Sequence, residues 1–248
     1  MNRLYYAGIG SRNTPKFILE LMTKLSSKLE KDGLILRTSE CEGADRAFIS
    51  GVKEPHHKEI YTIEEEYNEY SKSKEPTIYL NGEKIYFTEQ AMQSVYEYSL
   101  EPEITIQDKA YLMLSYFQIF GYEDKGEEVL HCNPVEFVIC WTEDGCSSHL
   151  TRTKKTGMTG QGISLADTAY IYIPIYNLQN EEHRQILINY LSGSITVKEL
   201  ITGEYFKPDK WNKIEEHLEE IKKLTEENLT REEQTDKIVS EPEDEIPF

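Results

Sequence analysis

The stretch from Val135 to Leu178 constrains the fold more than any other. It holds two apolar, β-branched and aromatic runs, Val135–Trp141 and Ala169–Ile175, separated by a polar loop rich in Thr, Lys and Gly. A short helical pattern begins near Gly160. Continuous apolar runs, rather than alternating ones, suit strands buried on both faces of a parallel sheet. The loop and helix between them then form one βαβ crossover. In such sheets ligands bind where loops leave the carboxyl ends of strands, at the N-termini of the following helices. Gly157, Gly160 and Gly162 would let the backbone approach a phosphate or sugar, and Thr156, Thr159 and Gln161 would supply donors. The same glycines would equally serve to cap a helix and permit tight packing.

The whole chain sets bounds on partners. Its 248 residues are enough for a substantial core in one large or two small domains. A net charge of −18 argues against coating nucleic acid through a broad basic face, though a local basic groove is compatible with it. Cys41, Cys132, Cys140 and Cys146 show no CxxC spacing and no paired His framework, so reduced thiols are expected and neither a metal nor a cofactor is. The start, MNRLYYAGIGS, is too short in its apolar part for a signal peptide, and no run approaches a membrane span. A soluble, cytoplasmic protein with no membrane partner is expected.

In chain order, Leu4–Ile9 reads as a first buried strand. The turn Gly8-Ile9-Gly10-Ser11-Arg12 leads into a helix with Thr14 as N-cap, Pro15 at its first position and a stop at Asp32-Gly33. Phe17, Ile18, Leu21, Met22, Leu25 and Leu29 recur at helical spacing between them. Arg12 in the turn suits bidentate pairing with phosphate or carboxylate. Leu34–Arg37 is a second strand, followed by a small polar turn holding Ser39 and a helix opening at Gly43-Ala44. Asp45 lies in that helix's first turn, where the dipole favours it and where it would accept from ligand hydroxyls or hold the neighbouring loop. Lys58–Thr62 completes a third strand.

The set YYAGIGSRNTP, LRTSECEGADRAF, FVICWTEDG and TGMTGQGISLA resembles the Rossmann-like superfamily of DNA processing protein A and the LOG proteins (the SLOG type), in its compact bacterial and phage form. The resemblance covers roughly residues 4–62 and 133–180. It implies a nucleotide or nucleic-acid pocket built from Gly8–Arg12, Ser39–Asp45, and Trp141–Gly145 with Gly157–Gln161. Asp144 and Gly145 match the family's WTxDG turn, where Asp144 would meet a ribose hydroxyl. The chain departs from the pattern at Glu40, Cys41 and Met158, and no glutamate after Gln161 matches the LOG signature PGGxGTxxE.

The middle, residues 63–132, reads as an insertion in the sheet pattern. Thr77–Phe87 is a hairpin around Asn81-Gly82, and Glu89–Tyr98 and Ile106–Phe120 carry helical stripes expected to pack on the sheet. His131 reads as structural. Arg152, Lys154 and Lys155 make the one basic island near the expected pocket, suited to an anionic ligand or a nucleic-acid backbone. His183–Leu191 reads as a helix and Ser194–Phe206 as short mixed structure, closing a Rossmann-like domain at 1–206. A C-terminal helix over 207–226 carries Trp211, Ile214, Leu218, Ile221 and Leu224 on one face, expected to dock on the body or on a second subunit in a homo-oligomer.

Residues 227–248 read as a disordered acidic tail. Its end, Asp244-Glu245-Ile246-Pro247-Phe248, resembles the tip of single-stranded-DNA-binding proteins: Phe248 would fill an apolar pocket while the acidic run steers toward a basic rim. Proteins that read such tips are the expected partners.

The expected fold is therefore α/β, a Rossmann-like mostly parallel sheet flanked by helices, with a hairpin and helical insertion and an acidic tail. The expected function is binding of a nucleotide-type ligand or single-stranded nucleic acid, in DNA replication or recombination or in phage–host conflict. Two alternatives use the same pocket. One is hydrolysis of an N-glycosidic or phosphate bond of a nucleotide, with Asp45, Asp144 and Glu40 as the nearby carboxylates. The other is a non-catalytic sponge for a nucleotide signal.

Overall fold

A computed structural model describes residues 3–69, 72–86, 89–98, 104–122 and 133–203. The chain up to Gly203 forms one compact unit. The expected C-terminal helix, the acidic tail and its tip, and His131 and Cys132, lie outside the described residues.

Five strands form the parallel heart of a seven-stranded sheet, with an antiparallel hairpin on one side. In chain order the strands are β1 (Tyr5–Gly8), β2 (Ile35–Ser39), β3 (Lys58–Asn68), β4 (Ser73–Leu80), β5 (Glu83–Lys84), β6 (Phe137–Cys140) and β7 (Ile175–Asn177). The sheet order is β5-β4-β3-β2-β1-β6-β7. β1 pairs in parallel with β2 on one side and β6 on the other, and β2–β3 and β6–β7 are parallel too. The α/β class and mostly parallel sheet expected from the apolar runs are what the structure has. Chain direction across the sheet reverses between β1 and β6, which makes their carboxyl ends the topological switch point.

Among the described residues the α-helices are α1 (Lys16–Lys31), α2 (Ala44–Gly51), α3 (Glu89–Tyr98), α4 (Ile106–Phe120), α5 (Thr159–Asp167), α6 (Glu181–Ser192) and α7 (Val197–Thr202). α1 buries Ile18, Met22, Leu25 and Leu29 at helical spacing, each worth about 1.5–3 kcal/mol of transfer free energy, and leaves Phe17 exposed. α1 packs with α2 and α6, while α3, α4 and α5 pack together. The sheet alternates accordingly. Tyr5, Ala7, Ile35, Val138, Cys140 and Ile175 enter the cluster that holds Phe117, Ile119 and Ile163. From β1's other face, Tyr6 stacks on Phe137, which meets Tyr176 edge to face.

The structure differs from the expected elements at three places. The last strand begins at Ile175, not Ala169, because Ala169–Pro174 makes no ladder and only Ile175–Asn177 pairs with β6. Thr14 does not cap α1: Pro15 holds the cap position, and the Thr14 hydroxyl donates instead to the Ser11 carbonyl. The third strand runs on to Asn68, since β4 continues the pairing that β2 supplies only as far as Tyr61. Within the insertion, α4 packs on the sheet as its helical stripe leads one to expect, burying Ala110, Leu114, Phe117 and Ile119 in the main core. The hairpin forms as expected around Asn81-Gly82, both at positive φ (50° and 86°), as a tight turn between right-twisted strands needs.

Candidate functional site

Two short loops leave β1 and β2 at the switch-point end of the sheet and meet over the start of α2. They meet because two glycines there leave no room for a side chain. A Cβ on Gly10 would lie 2.6 Å from the Ala44 Cβ and 3.3 Å from the Trp141 backbone, and one on Gly43 would lie 2.7 Å from the Ser11 carbonyl. Gly43 also holds φ +85°, which an L-residue adopts only with strain. Ser11 N–H donates to the Trp141 carbonyl at 3.3 Å, and its own carbonyl accepts from Ala44 N–H at 3.4 Å, so the Ser11 peptide bridges β1's loop to both neighbours. Gly8 has a different use. It is buried against Phe48 and Leu36, 2.6 and 2.9 Å from where its Cβ would stand, and its carbonyl accepts from the Thr38 hydroxyl. Its lack of a side chain serves packing beneath the site.

Asp45 sits under this junction. It is 5% exposed, and its Oδ2 accepts a short hydrogen bond from the Ser39 hydroxyl. Its Oδ1 is buried without a hydrogen-bond partner. Burial is the main influence and pushes its pKa up to about 7, against the pull of the Ser39 hydroxyl and of the Ser39 and Gly10 amides. An unpartnered carboxylate oxygen in a dry site is costly, and such groups concentrate where ligands or chemistry need them. Arg12 stands exposed at the rim and makes no hydrogen bond or ion pair among the described residues. Cys41 is half-buried beside them; burial raises its thiol pKa, and Asp45 adds to that while Arg12 and Arg46 oppose it.

The third loop, from Trp141 to Met158 between β6 and α5, is built differently. Asp144 Oδ2 accepts from the hydroxyls of Thr153 (2.6 Å) and Thr156 (2.5 Å), and Oδ1 accepts from Cys146 N–H at 3.3 Å. Burial works to raise the Asp144 pKa, and these donors outweigh it and leave it below the usual carboxylate value. The carboxylate expected to meet a ribose is thus occupied in holding its own loop. Gly145 turns the chain at φ +69° beside it.

The basic island comes apart into three side chains with separate fates. Arg152 turns inward, donating from Nη1 to the Tyr98 carbonyl and to Ser164 Oγ, both at 2.7 Å, and lies over Gly160, whose Cβ would be 2.6 Å from Nε. Lys155 pairs with Glu143 at 3.0 Å. Lys154 is exposed.

Gln161 is fully buried, and its Nε2 donates to the Ser94 carbonyl of α3 at 2.8 Å, so that donor is taken; Oε1 has no partner. Thr159 opens α5, half-buried, with Gly160 behind it.

Sequence reasoning missed Asn177. Fully buried at the end of β7, it donates from Nδ2 to Thr142 Oγ1 and to the Cys146 carbonyl, each at 2.7 Å, and its N–H donates to His183 Nδ1. Asn177 thereby ties the long loop to the neighbouring strand. The available signal was a polar residue closing the apolar run IYIPIYNL. Among the described residues no group of three His, Cys, Asp or Glu side chains stands where it would hold a metal ion. None of the described helices is long and apolar enough to cross a membrane.

The fold defines an α/β protein of doubly wound type, with the loops after β1 and β2 meeting at the carboxyl end of its parallel strands. Comparison of the chain with protein-family models, curated proteins and solved structures gave no match.

Proposed function

We propose that the crevice formed by Gly10–Arg12 and Ser39–Asp45 binds a small nucleotide-type ligand, with Arg12 meeting its anionic group and Asp45 accepting from a hydroxyl or N–H. The observation that carries this reading is the unpartnered Oδ1 of buried Asp45 beside the uncommitted Arg12 at the switch point. Single-stranded nucleic acid is the weaker candidate, because Arg152, which would have tracked a backbone, turns inward to Tyr98 and Ser164.

The test is a thermal-shift panel of mononucleotides, ADP-ribose, cyclic dinucleotides and short single-stranded oligonucleotides. A ligand at about 100 times its Kd stabilises by about 2.7 kcal/mol, and Arg12→Ala is expected to remove the shift. A response confined to oligonucleotides, falling with salt, would overturn the small-ligand reading. Hydrolysis of the bound nucleotide is a second reading favoured by one fact: a carboxyl titrating at about 7 is matched to acid–base work at neutral pH. Recovery of the ligand unchanged after incubation and denaturation would exclude it, and would select the sponge.

A further inference from the structure

The strands of the sheet do not end level. β2 stops at Ser39, which pairs with Tyr61, while β3 runs on to Asn68 with only β4 beside it. β5 in turn accompanies β4 only at Tyr79 and Leu80. Thr62–Asn68 and Ser73–Ile78 therefore form a two-stranded ribbon that passes the end of β2 by roughly 20 Å, at the same end of the sheet as the Ser39–Asp45 loop.

The two edges of this ribbon are unlike. The Ile60 carbonyl accepts from Asn81 N–H, which sets the alternation along β3. Thr62, Glu64 and Glu66 present their backbone groups to β4, and Ile63, Glu65 and Tyr67 present theirs outward. Among the described residues, the N–H and C=O groups of Ile63, Glu65 and Tyr67 have no hydrogen-bond partner. On β4 the Ile78 carbonyl accepts from Ile85 N–H of the β5 segment, so Lys74 and Pro76 also face outward there. Pro76 has no N–H to offer and blunts that edge. The β3 edge carries no proline and stays a template for another strand.

Charge decides which strand it takes. Glu64, Glu65 and Glu66 follow one another along β3. Glu66 is engaged by Lys84 and Tyr79, whereas Glu64 is exposed and Glu65 meets Lys74 only at 3.9 Å, with both side chains exposed. A second copy of this chain, pairing antiparallel about a two-fold axis, would set that run against itself, like charge opposite like charge. Nucleic acid is repelled on the same ground. We propose that the β3 edge binds an extended, basic segment of a partner protein as an added strand. Ile63, Glu65 and Tyr67 share one face, and Tyr67 is 64% exposed. The fitting segment therefore places Lys or Arg beside Glu65 and apolar side chains two residues away on each side, beside Ile63 and Tyr67. The proposal is independent of the ligand reading.

The test selects a displayed library of random octapeptides on the full chain, then measures a synthesised winner by fluorescence polarisation. Enriched sequences should carry Lys or Arg with apolar residues at two-residue spacing, and affinity should fall as salt rises. Exchange of the Ile63, Glu65 and Tyr67 amides should slow at least about tenfold when the peptide is added. Glu65→Pro removes an outward N–H without taking a bond from the β3–β4 pairing, so it should weaken binding at least about tenfold with Tm unchanged. Glu65→Lys keeps the backbone and should weaken the basic peptide in the same direction, and it decides the matter should the proline disturb the hairpin. No enriched peptide, enrichment of sequences without basic residues, or undiminished binding by Glu65→Lys would each overturn the proposal. So would a dimer in which the three amides are already protected before peptide is added, which would give the edge to a second copy.

Discussion

The first two loops of the candidate site and the long loop after β6 sit at the same end of one sheet and treat their carboxylates in opposite ways. In the long loop, Asp144 is taken up by Thr153, Thr156 and Cys146, Arg152 by Tyr98 and Ser164, and Lys155 by Glu143. In the short loops, Asp45 keeps an oxygen without a partner and Arg12 extends uncommitted at the rim. A loop of this length must satisfy its own backbone and side chains to hold a shape, whereas loops clamped between strand and helix are positioned by the sheet. The long loop's carboxylate is spent on holding its own shape, and the proposed ligand contacts fall on the short loops.

The largest effect that would sharpen this contrast is at Asp45. Because its folded pKa lies near 7 and its unfolded pKa near 4, stability should fall as pH rises between those values, by about 4 kcal/mol at most. Asp45→Asn should therefore raise Tm relative to the wild type at pH ~8 and not at pH ~4. Equal effects at both would break the idea that Oδ1 is a strained group.

At Asp144 the sign reverses. Its folded pKa is depressed, so its contribution is present above about pH 4 and lost below that. Asp144→Ala should cost about 1–2 kcal/mol at neutral pH, measured by chemical denaturation, because it strands the buried Thr156 hydroxyl and releases that of Thr153. A loss of nucleotide response with stability intact would instead place Asp144 in the site.

Comparable in size is Gly10→Ala. The added methyl would press on Ala44 and Trp141, destabilising by about 1–3 kcal/mol and shifting the fluorescence of Trp141. Smallest is Arg12→Ala, which should change stability by less than about 0.5 kcal/mol while removing ligand stabilisation. Lys155→Ala should alter neither, since Lys155 and Glu143 are both exposed.

Much of the frame was legible in the chain because periodicity is a local property. The runs YYAGI and FVIC and the helical spacing of Ile18, Met22, Leu25 and Leu29 report which sides of an element are buried, and Asn81-Gly82 reports a turn through its backbone preference. The strand expected at Ala169–Ile175 failed because apolar character marks burial and not pairing. Pro174 lacks the N–H a ladder needs, and the structure forms β7 only beyond it.

The sequence by itself therefore determined the class of fold and the loops that leave its parallel strands, because both follow from hydrophobic pattern and turn chemistry. Only the tertiary structure decided which polar residues were free. Arg152 and Gln161 look available in a linear reading and are bound to Tyr98, Ser164 and Ser94, residues far away in the chain. Asp45 looks like an ordinary helix-start carboxylate and is buried with an oxygen unmet. Hydrogen-bond partnership depends on which distant atoms the fold brings within about 3 Å, and no local pattern carries that information.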